Sequence, residues 1–314
     1  MTTQLVPRRD AVSERTLPGM VGSDPAMLEV YRLVHHAART TLPVAIVGET
    51  GTGKELVARA LHELSSRRAC PFVAVNAAAL PEALFESELF GHARGAFSDA
   101  RHEKVGLLEA AHRGTFFCDE LPALPAACQA KLLRAVEEGM VRRVGDLTPR
   151  LATPRWVISC QGFEAGRRTG RGIRVDLWHR LSGAIILLPP LRQRRDDIPA
   201  LVRHFLAEHD FPVARIHRAA VEVLMDEPWL GNVRELRQVI ARLVLAADGT
   251  DITAGAARAE LNTSNDPRNA RDRAALQQAL REHEWNLVSA ARALGVSRGT
   301  LYRRLRAFGL ERPF

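Results

Sequence analysis

Lysine is scarce in this chain. Lys54, Lys104 and Lys131 are the only three among 44 cationic residues, and the rest are arginines, a bias read as genome base composition. Cysteine is scarce too. Cys70, Cys118, Cys128 and Cys160 show no metal-ligand spacing, and Cys118 and Cys160 fall in apolar runs, so small buried thiols are expected. No apolar stretch approaches the roughly 18 residues of a membrane span. The N-terminus is broken by Arg8, Arg9, Asp10, Glu14 and Arg15, which excludes a secretory signal. These absences leave a cytoplasmic, membrane-free setting as the expectation.

What is present is a chain of 314 residues with 46% hydrophobic content, enough for about two domains with real cores. The formal net charge is +8, and much of it lies at the end. From residue 268 to 314, ten arginines face four acids (Asp272, Glu282, Glu284 and Glu311), which points to an anionic polymer as partner.

Residues 1–18 read as a flexible tail. From there to 190, apolar runs (Pro43–Val47, Phe72–Val75, Thr115–Cys118, Trp156–Ser159, Ala184–Leu188) alternate with helical periods. That alternation predicts an α/β domain with a parallel sheet and helices on both faces. Residues 191–247 read as a helical subdomain, 248–270 as a Gly/Thr/Asn-rich linker, and 271–314 as a small all-α domain of short helices.

Gly48, Glu49, Thr50, Gly51, Thr52, Gly53, Lys54 and Glu55 stand between the first apolar run and a helical stretch. Strand, glycine-rich loop, lysine and helix is the arrangement that binds a nucleoside triphosphate. Small residues let backbone N–H groups converge on phosphate oxygens, the helix start adds positive potential, and Lys54 supplies a point charge. Glu55 stands where many such loops place a metal-binding Ser or Thr. About 65 residues on, the run Thr115–Cys118 ends in Asp119 and Glu120. Beside a phosphate loop these read as the Mg²⁺ holder and the group that orients or deprotonates the attacking water. Both must then lie at the carboxyl edge of one sheet.

Leu287–Leu294 reads as a helix with small packing residues, Gly295 as a sharp turn and Ser297 as the cap of a second helix with Leu301, Leu305 and Phe308 in an apolar stripe. This fits a helix-turn-helix whose second helix enters the major groove of double-stranded DNA. Arg298, Thr300 and Arg303 are the candidates for base or phosphate contact. Tyr302 shares their exposed faces, and Arg304 and Arg306 are assigned to backbone phosphate. A helical dimerisation tail is the competing reading.

Five segments, Gly48–Glu55, Glu86–Ala100, Gly114–Leu121, Leu188–Pro199 and Trp229–Leu236, occur together and in order. The chain resembles bacterial enhancer-binding activators of sigma-54 RNA polymerase over about residues 19–247, with a Fis-type helix-turn-helix following. The resemblance implies an AAA+ ATPase with a helical lid, ATP and Mg²⁺ as cofactors, and a homo-oligomeric ring, usually a hexamer, with nucleotide between subunits. It implies that Arg174 and Arg180 reach into a neighbour's site; alone, they read as two surface arginines. It makes Arg234 the lid arginine that senses nucleotide. Asn76 becomes the residue coupling Glu120 to the polymerase loop, though alone it reads as a strand-end cap.

The same resemblance makes Gly95, Ala96, Phe97, Ser98, Asp99 and Ala100 the loop that touches sigma-54. There Ser98 and Asp99 depart from the family's Thr and Gly. Cys160 and Gln161 take the place of its γ-phosphate-sensing Thr-Asn pair. The implied function is ATP-dependent remodelling of the closed sigma-54 polymerase complex from an upstream enhancer site.

The departures keep a second reading open: a sigma-54-independent DNA-binding regulator that uses the ring as a nucleotide-sensing switch with weak or no hydrolysis. A clamp or helicase loader is a third, opposed by the loop at 95–100 and the terminal module. Because the ATPase module starts near the N-terminus, control is expected in trans, from a regulatory protein or expression level.

Overall fold

Every apolar run singled out above becomes a strand of one sheet. The computed structural model of the protein describes residues 16–97, 100–161, 172–265, 276–283, 285–294, 296, 301, 305 and 310. In chain order the strands are β1 (Val44–Val47), β2 (Phe72–Asn76), β3 (Gly91–His92), β4 (Lys104–Val105), β5 (Thr115–Asp119), β6 (Met140–Val141), β7 (Arg150–Leu151), β8 (Arg155–Cys160) and β9 (Ala184–Leu187). The helices are α1 (Pro25–Ala38), α2 (Lys54–Glu63), α3 (Phe85–Phe90), α4 (Leu107–Ala110), α5 (Ala126–Glu138), α6 (Val175–Leu181), α7 (Ile198–Glu208), α8 (Arg218–Asp226), α9 (Asn232–Ala247) and α10 (Ala254–Asn265).

The main sheet runs β2-β5-β8-β1-β9 with every pair parallel. Parallel strands buried on both faces read as continuous apolar runs, and this makes them legible. Side chains alternate between two layers. Val44, Ile46, Phe117, Val157 and Ile186 pack toward α1 and α2. Ala45, Phe116, Cys118, Trp156, Ile158 and Cys160 pack the other way, against Phe85, Leu89, Leu132 and Leu177. Buried Arg155 fastens the first layer: its guanidinium donates to the Ala37 carbonyl at 2.6 Å and the Leu61 carbonyl at 3.3 Å, near the C-terminal ends of α1 and α2. A cation is favoured there by the helix dipole.

Two short hairpins went unforeseen, because two-residue strands carry no period. β3–β4 frames the loop at 93–103, and β6–β7 follows α5. The hairpins meet where Ala93 donates to the Val144 carbonyl and Val144 to the Gly91 carbonyl, both at 2.9 Å.

The helical subdomain is built from α7 to α10 around Phe205, Leu224, Trp229, Leu236 and Ile240. Here the linker reading of 248–270 is corrected for 254–265. They form α10, whose Ala257 and Leu261, spaced i and i+4, bury into that same core. Toward the C-terminus, a helix over 276–282 and the helix Leu287–Ala293 enclose a small core of Leu276, Leu280, Ala290, Ala291, Leu301 and Leu305. The predicted stripe residues Leu301 and Leu305 thus pack inward.

Candidate active site

The loop after β1 turns into α2 through two glycines in the left-handed region, Gly51 (φ 81°) and Gly53 (φ 105°). Gly51 has no alternative: a Cβ there would lie 2.2 Å from the Gly231 carbonyl. Lys54, the first residue of α2, is 7% exposed. Its ammonium donates to the Gly48 carbonyl at 2.9 Å and the Glu49 carbonyl at 3.4 Å, and pairs with the Glu120 carboxylate at 3.4 Å. The predicted lysine and acid therefore meet at the carboxyl edge of the sheet.

Asp119 closes β5 and Glu120 follows it. Glu120 adopts φ 54°, a left-handed conformation rare for a residue with a side chain. Its N–H donates to the Ser159 hydroxyl at 3.0 Å, and that hydroxyl donates in turn to Asp119 Oδ1. Gln161 donates its amide to Glu120 Oε1 at 3.3 Å. Cys160 does not join them. The alternation of β8 buries it in the opposite layer, outside the cavity, where burial pushes its thiol up to about 11. This is the small buried thiol the apolar run predicted, and it brings no polar contact to Glu120 in support of the sensor role the resemblance implies. Asn76 sits in register with Asp119 and lines the same cavity, but its carboxamide oxygen accepts from the Ala78 N–H at 2.9 Å. It is a strand-end cap in this structure.

The lid closes on the loop from the far side. Val233, in the first turn of α9, donates to the Gly51 carbonyl at 3.1 Å. Glu49 holds Arg192 in a two-pronged pair at 2.6 and 2.7 Å, and this guanidinium draws its carboxyl down to about 2. Fully buried Asn232 completes the junction. Its amide donates to Glu49 Oε2 and the Thr50 carbonyl, both at 3.1 Å, and accepts from the Leu191 N–H at 2.7 Å. Arg194 donates to the Thr52 carbonyl at 3.2 Å, and buried Asp197 accepts from the N–H groups of Ser23 and Asp24 at 2.6 and 2.9 Å. Burial, then the Asp197 charge, push neighbouring Tyr31 up to about 12. Sequence reasoning missed Ser159, Arg192, Asn232 and Asp197.

Between lid and sheet lies a cavity of about 740 Å³. Thr50, Gly51, Thr52, Gly53, Lys54, Glu55, Asp119, Glu120, Gln161 and Arg234 line it, while Leu56, Leu201 and Phe205 make part of its wall apolar. A polyanion at the lysine end and a flat apolar group at the other is the shape of a nucleotide. Glu55 turns to Arg59 at 2.7 Å, an exposed pair one helical turn apart. Among the described residues no cluster of three or more His, Cys, Asp or Glu forms a cation cage. Asp119 beside the phosphate loop fits a Mg²⁺ that completes its shell with phosphate oxygens and water.

Arg174 and Arg180 do not line this cavity. Arg174 precedes α6 and grips Asp176 at 2.8 and 3.1 Å; Arg180 pairs with Glu137 at 3.0 Å. Trp178 between them is core, not rim. In the loop at 95–100, Gly95 (φ 81°) donates to the Ala100 carbonyl at 2.8 Å, and Phe97, 47% exposed, lies edge-on to His92. Ser98 and Asp99 lie outside the described residues, as do the candidate DNA contacts Ser297, Arg298, Thr300, Tyr302, Arg303, Arg304 and Arg306.

Known proteins share this arrangement. Residues 20–186 match the sigma-54 interaction domain, 192–274 the AAA+ ATPase lid domain, and 269–308 the Fis family of bacterial regulatory proteins. The DNA-binding transcriptional regulator NtrC of Azospirillum brasilense is 44% identical over 235 residues, 74% of this chain and 48% of that protein. The C4-dicarboxylate transport transcriptional regulatory protein DctD of Rhizobium meliloti (strain 1021) is 39% identical over 299 residues, 93% of this chain and 65% of that protein. The chain spans about half the length of the Azospirillum and Rhizobium NtrC proteins it matches. The structure of NtrX from Brucella abortus in complex with ATP superposes with TM-score 0.69 at 32% identity, over 96% of this chain and 72% of that one. A Thermotoga maritima RuvB structure, at 16% identity and TM-score 0.56 over 94% of this chain and 90% of that one, shares the fold. With three consecutive segments matched and the nucleotide cavity in place, the chain belongs to the sigma-54 interaction domain family of transcriptional regulators, with an AAA+ module, its lid and a Fis-type helix-turn-helix.

Proposed function

We propose that the protein is an ATP-driven activator of sigma-54 RNA polymerase. It binds double-stranded DNA upstream of a promoter, assembles into a ring, and turns ATP hydrolysis into remodelling of the closed polymerase complex in the cytoplasm. The observation that carries this is the meeting of Lys54, Asp119 and Glu120 at one sheet edge, under a lid that hydrogen-bonds to the phosphate loop.

Bound ATP would place its outer phosphates on the loop N–H groups and Lys54, whose ammonium would exchange the Gly48 and Glu49 carbonyls for phosphate oxygens. Drawing the ammonium onto the phosphates would also loosen its 3.4 Å pair with Glu120, whose carboxylate could then take a proton from the attacking water. Asp119 would hold Mg²⁺, which would supply neutralising charge for the phosphates. Arg234, on the lid face of the cavity, is positioned to read the phosphate end. Arg174 and Arg180, off the cavity of their own subunit, are suited to complete a neighbour's site in a ring, six subunits being our expectation. Phe97, half exposed in its loop, supplies an apolar contact for sigma-54.

Two observations favour the alternative, a nucleotide-sensing switch with weak or no hydrolysis that acts without sigma-54. Gln161 already holds Glu120, and the neighbouring hydroxyl position is a buried thiol. A reconstituted sigma-54 promoter assay decides between them. ATP-dependent open complexes, with ATPase activity rising cooperatively with protein concentration, support the activator; nucleotide binding without either supports the switch.

A further inference from the structure

β8 carries a hydroxyl on a face that should be apolar. In β5, Thr115, Phe117 and Asp119 share one face; in the adjacent parallel strand, Arg155, Val157 and Ser159 share the same one. The register pairs Phe117 with Val157, so Asp119 and Ser159 come side by side two residues later. Ser159 is completely buried. Its hydroxyl has one proton to give and lone pairs to accept. The proton goes to Asp119 Oδ1, and the Glu120 N–H arrives at 3.0 Å.

We propose that Ser159 is a positioning residue of the hydrolytic site, one hydroxyl setting the rotamer of Asp119 and the backbone of Glu120 together. This rests on reading the cavity as an ATP-hydrolysing site. Occupying Oδ1 leaves the second oxygen of Asp119 to meet Mg²⁺. The backbone pin matters because Glu120 holds a left-handed φ of 54°. Its N–H is fixed by Ser159 and its carbonyl by the Ala123 N–H at 2.8 Å, so the carboxylate is aimed from a residue secured at both ends. Neither nearby group can substitute. Cys160 faces the opposite layer, and the Thr52 hydroxyl is spent on the Glu49 carbonyl at 2.7 Å.

The test compares the full chain with S159A, S159T and S159V. The last two have the same shape and differ only in the hydroxyl. Partners that orient a metal-holding group typically change activity by about 10–100-fold, so S159A and S159V should lose kcat by that factor, with KM for ATP within about threefold. S159T should retain most of kcat. A second readout needs no turnover. ADP alone should raise the melting temperature of S159A as it does the wild type, but the extra rise from adding Mg²⁺ should shrink. A lower melting temperature with kcat and the Mg²⁺ increment unchanged would make Ser159 merely structural and overturn the proposal, while the ATPase reading stands. No hydrolysis and no melting shift in the wild type would overturn both. If the two β-branched variants fail to fold, S159A against wild type decides.

Discussion

The sheet edge and the outer rim hold charge in opposite ways. At the edge, Lys54, Asp119 and Glu120 are tied to buried backbone and to a buried hydroxyl. At the rim, Arg174 and Arg180 hold Asp176 and Glu137 in half-exposed ion pairs. Buried polar groups are costly to strip of partners, whereas surface pairs are screened and cheaply exchanged. The edge is therefore built to stay put, and the rim to change hands, which suits the role proposed for these arginines at a neighbour's nucleotide.

Breaking the rim should give the largest effect on turnover. Arg174→Ala is expected to cut ATP hydrolysis by about 10³-fold or more while leaving ATP binding nearly intact, as read by phosphate release beside fluorescent-nucleotide titration. Mixing it with Glu120→Gln should restore part of the rate, because some interfaces regain an intact pair. No recovery at any mixing ratio would place both residues in one subunit's site. Breaking the edge should act within a subunit: Glu120→Gln alone should lower kcat by about 10²–10⁴-fold with nucleotide still bound.

Smaller effects sharpen the contrast. Asn232→Ala removes three hydrogen bonds and strands the buried Leu191 N–H, and one such buried loss costs about 1–3 kcal/mol. A melting temperature lower by several degrees and a raised KM for ATP are expected. Asp176→Asn at the rim should leave the melting temperature unchanged and alter hydrolysis less than about twofold, the mark of an exchangeable pair.

The smallest effect concerns acid. The Glu49 carboxyl lies near 2 in the folded chain against an ordinary 4.5, so the stability its pairing with Arg192 contributes is complete above pH 4.5 and is lost as pH falls toward 2. Glu49→Gln should flatten the stability profile across that window in thermal melts. An unchanged slope would show that Arg192 does not hold the lid.

What the sequence disclosed follows the same division. The five sheet strands and the phosphate loop were legible because burial on both faces demands continuous apolar runs, and the left-handed turns into α2 demand Gly51 and Gly53. Ser159 was hidden because its meaning depends on the register of two strands 40 residues apart. The hold of Arg192 and Asn232 on Glu49 was hidden because the lid returns to the loop across more than 140 residues. Cys160 was legible as a buried thiol from its apolar run, but which layer it enters depends on the alternation of β8. Helix α10 was obscured by turn-forming residues around an Ala/Leu stripe.

The fully committed amide of Asn232 has one more consequence. Stitched at once to the loop, to its glutamate and to the chain leaving the sheet, it leaves the lid no independent hinge there. Any swing of the helical domain must tug the cradle itself, so the grip on a nucleotide and the tilt of four helices are two readings of a single coordinate.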